Sequence, residues 1–221
     1  DGTVLFGDCG GRLRKYDADT GIVTTVFGGT SVHDGMQATD GFVNTPGGIG
    51  SGPDGKIYFA DSGNQRIRRV DDDTGIIDTV AGNGARAYGG DGGPATEAYL
   101  GNPSDVSIDS RGRVVIADTR HGHVRRVDND GVIRGIAGAA FQWDKGDGGP
   151  ALGANLIQVL SVAHDAYDNI YAGDAVGRIR RVCSNTGTIE TVVGTGINGN
   201  SGDGGPATNA RIGSPSAMVI D

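Results

Sequence analysis

A glycine-rich loop repeated at a fixed spacing constrains this chain more than any other feature. The string Gly-Asp-Gly-Gly-Pro-Ala begins at Gly90, Gly146 and Gly202, so its copies lie 56 residues apart. A fourth, degenerate copy includes Asp34 and ends in Ala38 and Thr39. Repeats of this length indicate an array of small units that stack on their neighbours, because one unit alone cannot bury a core.

Each unit contains four short apolar segments separated by turn residues. The segments are rich in Val, Ile, Tyr and Thr, and Gly, Asp and Asn stand between them, a pattern typical of strands joined by tight turns. Four strands in each unit, repeated about one axis, predict an all-β fold, the β-propeller. Only the repeated loop favours a helical turn, with Pro94 or Pro206 at its first position and Asp91 or Asp203 as its cap.

The third unit resembles a known family. Residues 102–119, which begin Asn-Pro and end Ala-Asp-Thr, together with Val-Arg-Arg-Val-Asp at 124–128, resemble an NHL repeat. The Gly-Asp-Gly-Gly-Pro-Ala-Thr insertion resembles the long-repeat subtype of secreted bacterial proteins and animal teneurins. The resemblance implies a propeller of NHL-type blades and a secreted or cell-surface location, and it implies six blades as the usual number.

The two ends of the chain predict how the ring closes. Residues 3–8 match the second strand of a unit, and residues 216–221 match a first strand. We therefore expect one domain, 1–221, with four blades at about 216–221 plus 1–29, 46–84, 103–140 and 159–196, so that the C-terminal strand completes the first blade. Two alternatives remain: the chain is part of a six-bladed propeller, or its last strand enters a neighbouring copy and builds a head-to-tail polymer.

Composition narrows the range of partners. The net charge is −8, from 19 Lys and Arg against 27 Asp and Glu, which argues against nucleic acid. No apolar run approaches the length of a membrane-spanning helix. We expect the arginines of the repeated Arg-x-Arg-Arg string to pair with aspartates of their own or the adjacent blade. Cys9 and Cys183 are predicted to lie on opposite faces, which argues against a disulfide between them.

Two residues break the pattern of the innermost strands. His164 stands where other units carry Ser51, Ile108 and Ile220, and Asp105 stands where they carry Gly, Ser or Ala. Together they motivate one alternative function, a metal-dependent lyase or hydrolase with a site at the central channel. His121 and His123 are predicted to be solvent-exposed turn residues. No set of three or four metal ligands is evident near them.

The aspartates of the repeated loop raise the question of a cation. Asp34, Asp91, Asp147 and Asp203 could bind calcium, but each loop offers too few oxygens for a dedicated site, which favours a role in turns and caps. We therefore expect no cofactor, with calcium as the alternative.

The regularity of the units favours a noncatalytic extracellular or cell-surface interaction or assembly module. All units keep the same turn chemistry, no Gly-x-Ser-x-Gly elbow is present, and no catalytic residue is predicted. The partner would be a protein, a carbohydrate or another copy of the chain. Aromatic residues on projecting loops make good anchors, so the predicted binding residues are Trp143, Phe141, Tyr88 and the edge of His123. Packing against the adjacent blade is the alternative role for these aromatic residues.

Overall fold

The structure is a computed structural model that describes residues 3–8, 12–28, 34–139 and 146–220. In these residues the chain is built from antiparallel strands and six short 3-10 turns. In chain order the strands are β1 Thr3–Asp8, β2 Arg12–Asp17, β3 Val23–Phe27, β4 Met36–Gln37, β5 Pro46–Ser51, β6 Ile57–Asp61, β7 Arg66–Val70, β8 Ile76–Ala81, β9 Pro103–Ile108, β10 Val114–Asp118, β11 His123–Val127, β12 Ile133–Ala137, β13 Val159–His164, β14 Ile170–Asp174, β15 Arg178–Val182 and β16 Ile189–Val193.

The strands form four sheets, which are the four blades of a β-propeller. The first sheet is β1-β2-β3, the third is β9 to β12, and the fourth is β13 to β16. The second has five strands, because β4 from the preceding loop pairs with the outer strand β8. The prediction of an all-β propeller with four blades is confirmed.

Glycine makes the tight turns within each blade possible. The turn between β9 and β10 closes with a hydrogen bond from the Gly112 N–H to the Asp109 carbonyl, 2.9 Å long. Gly112 has φ +79°, in the left-handed region that other residues seldom adopt. The Asp109 carboxylate accepts the N–H groups of Arg111 and Arg113 in the same turn. The Asp-x-x-Gly spacing at 109–112 thus fixes the register of this hairpin.

The hydrophobic core lies between the blades rather than inside any one of them. Each of three clusters joins neighbouring sheets. The cluster between the second and third blades, for example, contains Ala60, Ile67, Val106, Ile116 and Ile133. The other two lie between the first and second blades and between the third and fourth. The innermost strands β5, β9 and β13 pack side by side. Burial at these junctions is the main stabilising contribution, since no blade has a core of its own.

The C-terminal residues do not complete the first blade in the part of the chain that the structure describes. There β1 pairs with β2 alone, and residues 212–220 form no strand. The C-terminal residues follow the fourth blade instead: the Ser161 hydroxyl donates to the Pro215 carbonyl at 2.7 Å. A Cβ on Gly173 would lie 2.8 Å from Pro215 Cγ, so only glycine permits this approach. The predicted pairing is not formed in the described residues, because these two contacts hold Pro215 on the fourth blade.

The repeated loops form 3-10 turns, but not with the predicted caps. Pro94 precedes the turn Ala95–Glu97, and no side chain caps that turn. Asp91, which we expected to cap it, binds Arg125 instead. Among the described residues, no helix has the length and apolarity needed to span a membrane.

Candidate functional site

The second insertion loop, residues 83–99, places an aromatic ring over two histidines. The ring centroid of Tyr88 lies 4.5 Å from that of His123 and 5.4 Å from that of His121. The Arg125 guanidinium lies 5.4 Å from the Tyr88 centroid, and the Tyr88 hydroxyl donates to Asp91 at 3.1 Å. Tyr88 remains 47% exposed. The ring is therefore held from three sides while one face stays open to solvent.

The two histidines beneath this ring are fixed by hydrogen bonds. His123 bonds through Nδ1 to the His121 carbonyl at 2.5 Å, and His121 Nδ1 lies 2.9 Å from Asp118 Oδ1. Burial lowers the pKa of His123, which favours a neutral imidazole at neutral pH. The prediction that both are solvent-exposed turn residues is wrong: His123 is buried and His121 is partly buried. The reason is that Tyr88 covers them.

A buried arginine anchors the loop that carries Tyr88. Arg125 is fully buried, and its guanidinium contacts Asp91 at 2.7 Å and Asp118 at 3.6 Å. It also donates to the carbonyls of Tyr99 and Gly89, so the loop is tied to the third blade at several points. The predicted pairing of these arginines with aspartates is confirmed.

The same anchor occurs in the neighbouring blades. Arg68 binds Asp34 at 2.9 Å, and Arg180 binds Asp147 at 2.7 Å. In each blade the strand register shifts by a bulge immediately before this arginine. A bulge re-aims the side chain that follows it, which explains how an arginine enters the interior. Three of the four aspartates considered for calcium therefore contact an arginine.

The two channel candidates tie the third and fourth blades together. Asp105 on β9 accepts the Val162 N–H of β13 at 2.9 Å, and His164 on β13 bonds to the Ser107 hydroxyl of β9 at 2.7 Å. Burial raises the pKa of Asp105 to about 6. Each side chain thus bonds to the opposite strand, and no hydrogen bond joins the two. The described part of the chain contains no group of three His, Cys, Asp or Glu that could hold a metal ion.

Two of the predicted binding residues, Phe141 and Trp143, lie outside the described residues. Among the described residues, the structure brings Tyr88 and His123 together, and it adds His121, Asp91 and Arg125 to them.

The structure also contains a cavity on the face opposite to Tyr88, which the sequence did not predict. It has a volume of about 520 Å³ and lies between the third and fourth blades. Its arginines are paired with carboxylates: Arg113 binds Asp109 at 2.6 Å, and Arg111 binds Asp168 at 3.2 Å. These residues occupy equivalent turns of two blades, and only the packing of the blades brings them together.

Comparison with known proteins agrees with this geometry. The family model for the NHL repeat matches residues 100–127, which contain β9, β10 and β11. The matched segment is an NHL repeat. The chain is 32% identical over 126 residues to the protein SUPPRESSOR OF QUENCHING 1, chloroplastic, of Arabidopsis thaliana, a match that covers 52% of the chain and 12% of that protein. It is 29% identical over 153 residues to teneurin-3 of Danio rerio, covering 63% of the chain and 5% of that protein.

Solved structures share the fold. A chain of the nidogen/laminin complex aligns with a TM-score of 0.59 and 19% identity, covering 87% of this chain and 60% of that one. Virginiamycin B lyase from Staphylococcus aureus aligns with a TM-score of 0.56 and 18% identity, covering 86% and 52%. The chain thus spans a small fraction of its curated relatives and about half to three-fifths of these structures. Together the matches support an NHL-type propeller domain.

Proposed function

We propose that this chain is a noncatalytic protein-interaction module that binds its partner with the insertion-loop face. The observation that carries the proposal is Tyr88, which is held by His123, Asp91 and Arg125 and still exposes one side of its ring. An aromatic anchor that is already fixed loses little conformational freedom when it binds. The matches to teneurin-3 and to the nidogen/laminin complex support recognition of a protein.

We propose an extracellular or cell-surface setting for this interaction. The relationship to teneurin-3 supports it, although the Arabidopsis relative is chloroplastic. The net charge of −8 fits a partner surface that carries basic residues. A carbohydrate partner is the alternative, since a fixed aromatic ring can also stack on a sugar.

A random peptide library displayed on phage tests this proposal without knowledge of the natural partner. We expect selection on the wild-type chain to yield binders, and Tyr88→Ala to weaken them about ten-fold or more. Tyr167→Ala is the matched control, because Tyr167 is the more exposed tyrosine and lies on the opposite face, at the cavity. Binders that lose affinity for the Tyr167 variant and keep it for the Tyr88 variant would contradict the proposal.

A further inference from the structure

The cavity between the third and fourth blades collects three arginine guanidinium groups that the proposed function does not use. Arg111 and Arg113 lie in the turn between β9 and β10, Arg126 lies on β11, and all three line the cavity. Its volume of about 520 Å³ falls in the range of small-molecule sites. The chain as a whole has a net charge of −8, so this cluster is a local departure from its overall acidity.

The cluster belongs to one blade and not to the repeat. The strand register that aligns Val114 with Ile57 and Ile170 also aligns the turn residues before them and the third strands beside them. The positions of the three arginines are occupied by Asp54, Lys56 and Arg69 in the second blade and by Tyr167, Asn169 and Arg181 in the fourth. Of these three blades, only the third has arginine at every position. The scaffold alone does not require such a departure, which makes this junction a candidate for binding.

A carboxylate at a glycine position orients two of these guanidinium groups. Asp168 takes the place of the glycine that the second and third blades carry in this turn, and it keeps a left-handed backbone with φ +60°, which Asp adopts more readily than most residues. Its buried side chain accepts the Ser110 hydroxyl at 2.8 Å. The same carboxylate contacts Arg111 Nε at 3.2 Å and Arg113 Nη2 at 3.4 Å. Asp168 thus holds both arginines from across the blade junction.

The guanidinium groups keep donors available for a ligand. Each of the three binds an aspartate through Nε at 2.5 to 3.2 Å, in the pairs Arg111–Asp168, Arg113–Asp109 and Arg126–Asp128. The terminal nitrogens of Arg111 and Arg126 make no hydrogen bond or ion pair with the described residues. The two terminal nitrogens of one arginine can donate together to the two oxygens of a carboxylate. The cavity therefore offers oriented donors that suit this group.

Apolar side chains also line the cavity. Ile136, Ile170 and Val182 belong to the core cluster between the third and fourth blades and reach the cavity wall. Leu152, in the third insertion loop, lines it as well and is 57% exposed. The other insertion loops carry threonine at this position, namely Thr39 in the first, Thr96 in the second and Thr208 in the fourth. An organic anion could bury its apolar part here, whereas a free inorganic anion would use the arginines alone.

We propose that this cavity binds a small organic acid. The carboxylate of the ligand accepts hydrogen bonds from the terminal nitrogens of the cavity arginines, Arg111 first among them, and its apolar part packs against Leu152. The aspartates that hold the arginines are themselves negative, so binding depends on the oriented donors and not on an excess of positive charge. The cavity lies on the face opposite to Tyr88, and its ligand is therefore independent of the partner proposed for Tyr88.

Titration with phenylacetate, followed by NMR of the arginine Nε–H groups, tests the proposal. We expect phenylacetate to bind with a Kd of about 1 mM or lower and to shift the Nε–H signals of Arg111, Arg113 and Arg126. Neutral phenylacetamide should bind about ten-fold more weakly, because it cannot accept hydrogen bonds between two charged groups. Inorganic phosphate should also bind about ten-fold more weakly, because it has no apolar part to bury. Equal affinity for either of these compounds would overturn the proposal, as would unchanged arginine signals.

Arg111→Gln should weaken phenylacetate binding about ten-fold, and the variant should fold because the Arg111 side chain is 69% exposed. Arg86→Gln is the matched control, since it removes the same charge from an exposed arginine outside the cavity and should leave the affinity unchanged. Leu152→Ala should weaken phenylacetate about three-fold and leave phosphate unaffected. Equal affinities of the Arg111 and Arg86 variants for phenylacetate would overturn the proposal.

Discussion

The second and fourth insertion loops share the sequence Gly-Asp-Gly-Gly-Pro-Ala-Thr and differ in almost every contact. In the second, Asp91 binds a buried arginine, Gly92 donates to the next blade, and Ala95 is buried. In the fourth, the equivalent residues are exposed to solvent. The difference shows that docking depends on the receiving blade and not on the loop alone. Each junction is a contact between two repeats, as in other repeat proteins, where stability resides at the interfaces.

The largest effect should come from the receiving arginine. Arg125→Met removes a fully buried guanidinium and leaves Asp118 buried beside it. Breaking a buried pair from one side costs about 3 to 5 kcal/mol, which urea denaturation would measure as the free energy of unfolding. Arg126→Met is the control, because Arg126 is partly exposed and pairs with Asp128 near the surface. Equal losses in the two variants would contradict the role of burial.

Asp105 should make the stability of the protein depend on pH through the junction of the third and fourth blades. Its pKa is raised to about 6 from 3.8 because burial disfavours the charged carboxylate. Between these values the folded state holds a proton that the unfolded state has released, so the stability falls as the pH rises from 4 to 6 and stays lower above that. The loss is at most about 3 kcal/mol.

Chemical denaturation at several pH values would measure this slope. Asp105→Asn cannot titrate and should lack that part of the pH dependence, whatever its absolute stability. A variant with the wild-type slope would show that another group is responsible.

A smaller effect is expected when the docked loop loses its carboxylate. Asp91→Ala removes the charge-assisted bonds to Arg125 but leaves Asp118 and two carbonyls around the guanidinium. Because the Asp91 side chain is about a third exposed, we expect a loss of about 1 to 3 kcal/mol in the free energy of unfolding. A loss as large as that of Arg125→Met would mean that Asp118 contributes little.

The smallest effect should come from the fourth loop. Asp203→Ala should change the free energy of unfolding by less than about 0.5 kcal/mol, because Asp203 is exposed and has no partner among the described residues. A loss comparable to that of Asp91→Ala would show that the fourth loop is docked within its own chain, and the contrast between the loops would disappear.

The sequence predicted those features that repeat within a unit and missed those that depend on how units are placed. The fixed period predicted the four sheets, and the repeated Arg-x-Arg-Arg string, with aspartates in its own and the adjacent blade, predicted the ion pairs at Arg125 and its equivalents. The burial of His123 was missed because it results from Tyr88, which lies 35 residues earlier in the chain. The cavity at Arg111 and Asp168 was missed for the same reason. The path of residues 212–220 depends on how each blade packs on the next, and a repeat period carries no information on that packing.

Hydrogen exchange of three equivalent glycines tests the contrast between the loops most directly. We expect the N–H groups of Gly92 and Gly148 to be protected by their bonds to the next blade. The Gly204 N–H donates no backbone hydrogen bond within the described residues and should exchange at the rate of an unprotected amide. Protection of Gly204 equal to that of Gly92 would contradict the difference between the docked second loop and the exposed fourth loop.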